Sequence, residues 1–392
     1  MKLDLFYEIQ RRDADLHGGY GQLLRETLEQ ARLGDTLGYD CLWMVEHHCT
    51  PEFSYSSAPE ILQTAIALNT QRMRIGHSGV LSPFKVNHAL RIAERAAVMD
   101  HLSGGRLELG LAKSGGKEWE TFEVTGEEAQ AQLSEVTRLL PMAWSDKPLN
   151  WDSDTWHVKN RDVSPKPLTK PYPRLWHTCS SEPSFRAAGE MGVGVLGTTL
   201  FSPISAMDTL LRAHDDGLSR CDKPENEINR EKAVFTFVHV NKSMKEAIAS
   251  GAPRSAIWYV SSAPRVYNVP RELYYDGIRG ATDPRSKYNT EALAVAEVPD
   301  DDVSDPNPVV QLLKREFAGH DLSNEEIFDI IRDHDSVIIG TPQECKKKME
   351  RYRDIGVDRL MCLMQMGELS HENTLRSIQV AGEELIPYFD RK

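Results

Sequence analysis

The feature that most constrains the fold of this chain is a repeated alternation between short apolar runs and segments of helical periodicity. The first run, Leu3–Tyr7, precedes a helical pattern over Gly21–Leu37 whose apolar residues share one stripe. The runs are continuously apolar, which is typical of parallel strands that are buried on both faces. The predicted strands are Leu3–Tyr7, Cys41–Val45, Met73–Val80, Leu107–Ala112, Arg174–Thr178, Val193–Thr198, Ala233–Val240, Ser336–Gly340 and Arg359–Met366.

About eight such β-α units favour a closed (β/α)8 barrel, the TIM barrel. The chain has 392 residues, more than the roughly 250 residues of a plain barrel. The excess lies mainly in Asn241–Asp335, which follows the seventh predicted strand and shows little periodicity. A long segment of this kind is more often a lid or binding loop than a linker. We therefore expect one domain over residues 1–392, with residues 241–335 as an insertion or lid.

The net charge and the cysteine positions limit the partners and the cellular compartment that we expect for this chain. The net charge is −13, and no basic run is longer than Lys346–Lys348, so neither nucleic acid nor an anionic membrane surface is an expected partner. No apolar stretch reaches the roughly 18 residues of a membrane span, and the N-terminus lacks the apolar region of a signal peptide. The six cysteines form no CxxC pair, which predicts reduced thiols and a cytoplasmic location.

An acid and two histidines, Glu46-His47-His48, follow the second predicted strand directly. Polar groups at this end of a barrel strand face the active site, and strand alternation points the two histidines in opposite directions. Adjacent histidines do not easily bind one ion, and no second cluster has ligand spacing, so no metal site is predicted. The alternative to a catalytic histidine is one satisfied by local hydrogen bonds.

Small and cationic residues end the next strands. Ser78-Gly79 lies near the end of the third strand, where small residues let a backbone approach a flat ligand, although a β-bulge is the alternative. Lys113 follows the fourth strand and offers a cation to an anion. Ser180 and Ser181 follow the fifth and precede a helix start, which attracts phosphate, although taken by themselves they fit an ordinary N-cap with proline at N1 better.

The order of these motifs resembles that of the bacterial luciferase-like flavin-dependent monooxygenases. The resemblance rests on "GYDCLWMVEHH", "MRIGHSGVLSPFKVNHALRIAERAAVMDHLSGGRLELGLAKSG", "VSPKPLTKPYPRLWHTCSSEPSFRAAGEMGVGVLG" and "VIIGTPQECKKKMERYRDIGVDRLMCLMQMG". It covers nearly the whole chain except about Asn241–Asp335. It implies a (β/α)8 barrel that takes reduced FMN from a separate flavin reductase, reacts it with O₂ to a peroxyflavin, and oxygenates a small organic substrate.

The resemblance also implies roles for single residues. His47 matches the family's catalytic histidine, which hydrogen-bonds the peroxide or moves a proton to it, whereas Glu46 is expected to be structural. Ser78-Gly79 matches a non-prolyl cis peptide beneath the flavin ring, and His88 matches a histidine near the flavin. The phosphate contacts match Lys113, Ser180 and Ser184, with Ser181 beside them. Lysine at position 113 keeps the charge of the luciferase arginine but not its bidentate geometry.

The family's reactive cysteine falls at Ala112, so aldehyde luminescence is not expected. The lid of the family falls on residues 241–335. Its aromatic residues and nearby loop residues are predicted to line a substrate pocket, although the lid aromatics could instead pack the insertion's own core. The predicted pocket residues are Phe53, Tyr55, Trp176, Trp258 and Tyr259.

Two other functions stay open at this stage. A deazaflavin-dependent hydride-transfer oxidoreductase would use the same barrel, but the "EHH" motif and the Lys/Ser phosphate cluster favour FMN. A non-catalytic flavin-binding subunit is the alternative from another class. By analogy with the family, the chain is expected to form a homodimer or a higher homo-oligomer, with Ile61, Ala65 and Leu68 facing the partner copy.

Overall fold

A computed structural model of the chain describes residues 1–10, 19–266, 271–279 and 303–390. Within these ranges the strands fall close to the predicted ones, and a two-stranded hairpin lies between the fourth and fifth. In chain order they are β1 (Lys2–Tyr7), β2 (Cys41–Met44), β3 (Arg74–Leu81), β4 (Leu107–Ala112), β5 (Leu149–Asp152), β6 (His157–Arg161), β7 (Arg174–Thr178), β8 (Gly194–Thr198), β9 (Lys232–Val240), β10 (Val337–Gly340) and β11 (Arg359–Gln365).

Eight of these strands close into a parallel barrel in the order β1-β2-β3-β4-β7-β8-β9-β11. β11 returns to pair with β1, so that Leu5 lies opposite Cys362 on one side and Leu42 on the other. The predicted (β/α)8 barrel is therefore confirmed. The run at Val337–Gly340 is not one of the eight, because β10 pairs only with the second half of β9.

Helices cover the outside of the barrel, and strand alternation divides the core in two. On β1, Leu3 and Leu5 pack outward under the helices, whereas Phe6 points inward and stacks on Phe235 of β9 at 4.4 Å between ring centroids. The helices are α1 (Gly19–Leu37), α2 (Pro59–Asn69), α3 (Ala89–Leu102), α4 (Gly116–Thr121), α5 (Gly126–Trp144), α6 (Glu182–Glu190), α7 (Ile204–Leu218), α8 (Met244–Ala249), α9 (Ala252–Val266), α10 (Arg271–Arg279), α11 (Pro308–Phe317), α12 (Asn324–Ile331), α13 (Pro342–Asp354), α14 (His371–Glu384) and α15 (Ile386–Phe389).

The insertion after β9 is more regular than its sequence suggests. Its described part holds five helices, α8 to α12, and α9 packs against both α11 and α12. Proline at position 264 and the many polar residues weaken the periodic pattern, which is why the sequence shows these helices poorly. Residues 267–270 and 280–302 of the predicted lid lie outside the described residues. Among the helices that the structure describes, none has the length and apolarity needed to cross a bilayer.

A buried ionic network fills the N-terminal end of the barrel interior. Arg359 of β11 donates from Nη1 to both carboxylate oxygens of Asp4 at 3.2 Å and from Nε to Glu231. Arg174 of β7 donates from Nε to both oxygens of Glu108 at 3.0 Å. Charges without water are stable only when each is paired, so this network belongs to the barrel's architecture.

Candidate active site

His47 lies between two carboxylates at the C-terminal mouth of the barrel. Its Nε2 is 3.5 Å from Oε2 of Glu8, which follows β1 directly. Its Nδ1 is 3.3 Å from Oε1 of Glu118, on the short helix α4 after β4. Strands β1, β2 and β4 therefore deliver these three side chains to one place, where Glu8 and Glu118 are buried and the His47 side chain is 11% exposed. Catalytic groups of (β/α)8 barrels are expected at this position.

Glu118 is held in place by contacts besides His47. Its Oε1 accepts a hydrogen bond from the backbone N–H of His48 at 2.6 Å, and its Oε2 accepts one from the Ser114 hydroxyl. Burial raises the pKa of Glu118, but the positive charge of His47 and these hydrogen bonds outweigh burial and lower it below its ordinary value. Glu118 is therefore an ionised carboxylate at neutral pH.

His47 is an imidazolium at neutral pH for the same reason. Burial lowers its pKa, but the charge and hydrogen bond of Glu118, together with the charges of Glu8 and Glu46, raise it to about 9. A buried histidine between two acids keeps its proton until a basic group removes it. The site therefore contains a stored proton, not a free imidazole base.

Glu8 is the less completely paired of the two acids. Burial raises its pKa, and the charge of His47 and a hydrogen bond from Tyr259 oppose that effect. The Tyr259 hydroxyl, on α9 of the insertion, donates to Glu8 Oε1 at 2.8 Å. No hydrogen bond reaches the Oε2 atom within the described residues, which leaves it only the long contact with His47.

His48 points away from this cluster, as strand alternation predicts for the second histidine. Its Nε2 lies 3.0 Å from Oε1 of Glu46. Glu46 also accepts hydrogen bonds from the Leu81 backbone N–H and from Asn87 Nδ2, both at 3.0 Å. Glu46 thus fastens the end of β2 to the segment that follows β3, and its expected structural role agrees with these contacts.

The Ser78–Gly79 segment of β3 lies next to the mouth, and its peptide bond is cis. The strand is also bulged there, since His77 pairs with Leu109 but Val80 already pairs with Leu111. A Cβ atom on Gly79 would lie 2.9 Å from the backbone nitrogen of Leu111, so only glycine fits against β4. The predicted bulge is therefore present, and the approach of this backbone to a flat ligand stays a prediction.

His88 has a local role in this structure. It is the N-cap of α3, and its Nδ1 accepts a hydrogen bond from the Leu90 backbone N–H at 3.1 Å. Its ring packs edge-on to Phe84 at 5.3 Å between centroids. Burial lowers its pKa, so it is a neutral imidazole at neutral pH. Its contact with a flavin stays a prediction.

The residues predicted to hold phosphate come together at the ends of two neighbouring strands. β4 pairs with β7 so that Leu111 lies opposite His177, which places Lys113 beside Cys179, two residues further along each strand. The chain then passes through Ser180 and Ser181 into α6. Burial lowers the pKa of Lys113 and raises that of the Cys179 thiol to about 12, so the thiol is protonated and unreactive.

The serines at the start of α6 form a capping box. Ser184 Oγ accepts from the backbone N–H of Ser181 at 3.0 Å and donates to the Ser181 carbonyl at 2.7 Å. The hydroxyl of Ser184 is therefore committed to the helix start, and its direct contact with a phosphate stays a prediction. A half-buried cation beside a helix N-terminus is a donor set that fits a phosphate monoester, so the residues present are compatible with FMN.

Aromatic side chains connect the insertion to the catalytic cluster. The Phe53 ring lies 6.0 Å from the His47 ring, 5.0 Å from Tyr259 and 6.5 Å from Trp258, between centroids. Tyr259 also contacts Phe237 of β9 at 5.5 Å. Trp258 and Tyr259 therefore pack onto the barrel mouth as well as into the insertion. The three residues Phe53, Trp258 and Tyr259 remain candidates for the substrate pocket.

Two predicted pocket residues make other contacts. Trp176 is fully buried inside the barrel, where its indole N–H donates to Glu108 at 2.8 Å and its ring packs edge-on to Trp43. It belongs to the N-terminal core, because strand alternation on β7 places it on the same side as Arg174. Tyr55 packs on Tyr20 of α1 at 4.6 Å between centroids, and its contact with a substrate stays a prediction.

The two acids that flank His47, Glu8 and Glu118, were not predicted from the sequence. Glu8 carried a usable signal, since an acid directly after a buried strand lies at the mouth. Glu118 carried none, because it lies on a short helix that the sequence pattern does not reveal. Across the described residues, no group of three or more His, Cys, Asp or Glu side chains is arranged to hold a metal ion.

Comparison with known proteins places the chain in a family. The sequence profile described as luciferase-like monooxygenase matches residues 1–359. The chain belongs to this family. The resemblance predicted from the motifs is thereby confirmed, and with it the assignment as a luciferase-like oxidoreductase.

Two curated relatives of the chain are named as monooxygenases. The oxygenase component of the flavin-dependent trigonelline monooxygenase of Acinetobacter baylyi is 25% identical over 58% of this chain and 62% of its own length. The 4-hydroxyprotoasukamycin monooxygenase of Streptomyces nodosus subsp. asukaensis is 26% identical over 63% of this chain and 69% of its own length. The chain spans 62% to 66% of the length of three of the curated relatives that it matches, which is just under two thirds.

Solved structures share the fold over nearly the full chain. The monooxygenase RslO1 from Streptomyces bottropensis superposes with a TM-score of 0.73 at 19% identity, covering 99% of this chain and all of that one. The oxygenating constituent of 3,6-diketocamphane monooxygenase of Pseudomonas putida, in complex with FMN, gives 0.69 at 16% identity over 99% and 98%. An F420-dependent secondary alcohol dehydrogenase gives 0.66 at 14% identity over 98% of both chains.

Proposed function

We propose that this protein is the oxygenase of a two-component flavin-dependent monooxygenase. It would take reduced FMN from a separate reductase and use O₂ to oxygenate a small organic substrate. The observation that carries the proposal is the position of His47 between the carboxylates of Glu8 and Glu118 at the barrel mouth. The relative that is named an oxygenase component supports the separate reductase.

Lys113 and the start of α6 would hold the phosphate of FMN, and the Ser78–Gly79 segment would hold its ring. Reduced FMN would supply two electrons to O₂, so that one oxygen atom enters the substrate and the other leaves as water. The Lys113 cation neutralises part of the phosphate charge, and the α6 amide dipoles favour the anion. The missing side chain at Gly79 keeps β3 packed closely against β4 at this point.

His47 would supply a proton to the oxygen that leaves the reaction. Its Nδ1 side is held by Glu118, and its Nε2 side makes the longer contact of 3.5 Å with Glu8. The Nε2 proton is therefore the one more easily released. Proton transfer by a positioned acid accelerates such a step by roughly 10²–10⁴-fold.

The aromatic residues of α9 would keep water away from the site. Tyr259 is 2% exposed and Trp258 is 8% exposed, and both pack against Phe53 beside His47. Exclusion of water favours oxygen transfer over the release of hydrogen peroxide. We infer that the insertion acts as a lid over the mouth.

Self-association would use the surface of α2 and α3. Ile61 and Leu68 on α2 are 72% and 61% exposed, and Val98 and Leu102 on α3 are 45% and 43% exposed. Apolar residues in this number on two adjoining helices favour a second copy of the chain as the partner. Light scattering should give a dimer mass, and Ile61→Glu with Leu68→Glu should give a monomer. A monomeric wild-type protein would contradict this.

A deazaflavin hydride-transfer enzyme is the second candidate. It is favoured by the F420-dependent dehydrogenase, whose TM-score of 0.66 is close to the 0.69 of the FMN complex. A protonated histidine also suits hydride transfer, where a carbonyl or hydroxyl exchanges a proton. The cluster of Lys113 with the serines before α6 suits the short phosphate of FMN, and we rank FMN first for that reason. A non-catalytic flavin-binding subunit is disfavoured, because the His47 clamp is intact.

One experiment separates these functions. Reduced FMN and reduced F420 are titrated into the protein without oxygen, and the tighter complex is mixed with aerated buffer. We expect reduced FMN to bind more tightly than reduced F420. We also expect the complex to release hydrogen peroxide more slowly than free reduced FMN does. Tight F420 binding with no oxygen uptake would establish the hydride-transfer alternative. Peroxide release as fast as from free flavin, also unchanged in His47→Gln, would indicate the non-catalytic subunit.

A further inference from the structure

We propose that Tyr259, on helix α9 of the insertion, is a positioning residue that holds the proton on His47 by acting through Glu8. The inference rests on the proposed role of His47 and deepens it. It assigns to the insertion a second task beside covering the mouth, namely control over the protonation of the catalytic histidine.

The geometry links the insertion to His47 in two steps. The Tyr259 hydroxyl donates to Glu8 Oε1 at 2.8 Å, and Glu8 Oε2 lies 3.5 Å from His47 Nε2. Within the described residues no hydrogen bond fixes that second oxygen. The rotation of the Glu8 carboxyl is therefore set by Tyr259, and with it the distance to His47.

The position of the hydroxyl is itself set by packing. The Tyr259 ring is 2% exposed and contacts Phe53 at 5.0 Å and Phe237 at 5.5 Å between centroids. These two rings belong to the loop after β2 and to strand β9. The hydroxyl consequently reaches Glu8 only while α9 lies against the barrel mouth.

Through the charge of Glu8, the Tyr259 hydrogen bond affects the protonation of His47. Glu118 of α4 and Glu8 at the end of β1 face His47, and its chain neighbours Glu46 and His48 point away but act on it through their charges. Burial raises the pKa of Glu8, and the Tyr259 hydrogen bond lowers it. The hydroxyl thus favours the Glu8 carboxylate, and the carboxylate favours the His47 imidazolium. Withdrawal of Tyr259 weakens the hold on the proton.

The coupling gives a physical reason for the order of events in the proposed reaction. With α9 seated, the Tyr259 hydrogen bond favours the charged form of Glu8, and that charge helps His47 to retain its proton. With α9 displaced, Glu8 loses its donor and the pKa of His47 falls. The proton is therefore held ready only while the substrate is covered.

The test is a titration of the His47 imidazole in flavin-free protein labelled with ¹⁵N-histidine. The His47 signals are assigned by their loss in His47→Gln. Tyr259→Phe removes only the hydroxyl, and we expect it to lower the midpoint by about one pH unit. The matched control is Tyr275→Phe on α10 of the same insertion, whose hydroxyl lies beside Arg271, and it should leave the midpoint unchanged.

A second variant decides whether Tyr259 acts through Glu8. Glu8→Gln should lower the midpoint by itself, and adding Tyr259→Phe should then change nothing further. A Tyr259→Phe midpoint equal to that of wild type, or a shift that persists in the Glu8→Gln background, would overturn the proposal.

Wild-type protein offers a measurement that does not depend on the variants folding. The ¹³C signal of the Tyr259 Cζ atom should change with the same midpoint as His47, and a signal that stays flat through that midpoint would also overturn the coupling. No flavin or oxygen is present in these titrations. Failure of the coupling and failure of the proposed oxygenation are therefore distinguishable.

Discussion

At the N-terminal end of the barrel, Asp4 and Glu108 each share guanidinium groups of buried or half-buried arginines, whereas at the mouth His47 is shared between Glu8 and Glu118. Both regions bury charge, but the arginines of the first cannot release a proton near neutral pH. The histidine of the second can. Burial raises the pKa of Asp4 to about 6, against the pull of Arg359. The network at the N-terminal end therefore joins strands through fixed charges, whereas the cluster at the mouth contains a side chain that can exchange a proton.

The largest expected effect comes from breaking the stable end. Arg359→Met leaves Asp4 and Glu231 buried or half-buried without their shared partner, and we expect the free energy of unfolding to fall by about 3–5 kcal/mol. Urea denaturation followed by circular dichroism measures this. Arg353→Met, at an exposed ion pair with Asp354, is the matched control and should change it by less than about 0.5 kcal/mol. Equal losses of stability in the two variants would show that the buried network stabilises the fold no more than an exposed ion pair does.

At the mouth, the corresponding change should affect chemistry and leave the fold intact. His47→Gln removes the stored proton, and the proton-dependent phase of bound-flavin reoxidation should slow by about 100-fold. Stopped-flow absorbance measures that phase. His48→Gln, one residue along and turned toward Glu46, should slow it far less. A wild-type rate in His47→Gln would remove this histidine from the mechanism.

The pH dependence of stability sharpens the same contrast. The pKa of His47 is raised from 6.5 to about 9, so the stabilisation it contributes is fully present below pH 6.5 and is lost as the pH rises through about 9. The pKa of Glu118 is lowered from 4.5, so its stabilisation is present above pH 4.5 and is lost below that value.

Glu118→Gln should therefore cost the most stability between pH 4.5 and 6.5, by about 2 kcal/mol. The difference from wild type should shrink as the pH approaches 9 and above. Denaturation curves at several pH values measure it, with Glu120→Gln on the same helix as the control. A difference that is constant with pH would mean that Glu118 and His47 are not electrostatically linked.

The smallest predicted effect concerns the phosphate end of the flavin site. Lys113→Ala should weaken the binding of reduced FMN about tenfold, the equivalent of one charge-assisted contact. Riboflavin, which lacks the phosphate, should bind both proteins alike. Lys117→Ala, at the ion pair with Glu52, is the control. A loss of riboflavin affinity in Lys113→Ala would show that the lysine acts on the ring site instead.

Much of the fold was predictable, because the buried strands of a barrel are short, apolar and regularly spaced. The sequence does not predict which strand closes the barrel. Arg359–Gln365 closes it and the apolar run at 337–340 does not, although both runs look alike in sequence. Part of the site followed in the same way: His47 and Lys113 lie directly after strands. Alternation along β7 also carried the information that Trp176 points into the core with Arg174.

The rest of the site depends on contacts between distant segments. Glu8 and Glu118 are separated by most of the first four β-α units, and Tyr259 reaches them from the insertion. No local pattern encodes such a meeting, because the pairing is made by the closed sheet and by the seating of α9. The helices of the insertion were missed for a related reason, since their apolar residues are arranged to pack on one another and on the mouth.

The most direct test of the account is the ionisation of His47 in the wild-type protein at rest. We expect the His47 imidazole to titrate with a midpoint near pH 9 and therefore to be protonated at neutral pH. Its ¹⁵N chemical shifts measure this. A midpoint below 7 would contradict it. The mouth would then hold a neutral imidazole, and the contrast between the two ends of the barrel would lose its basis.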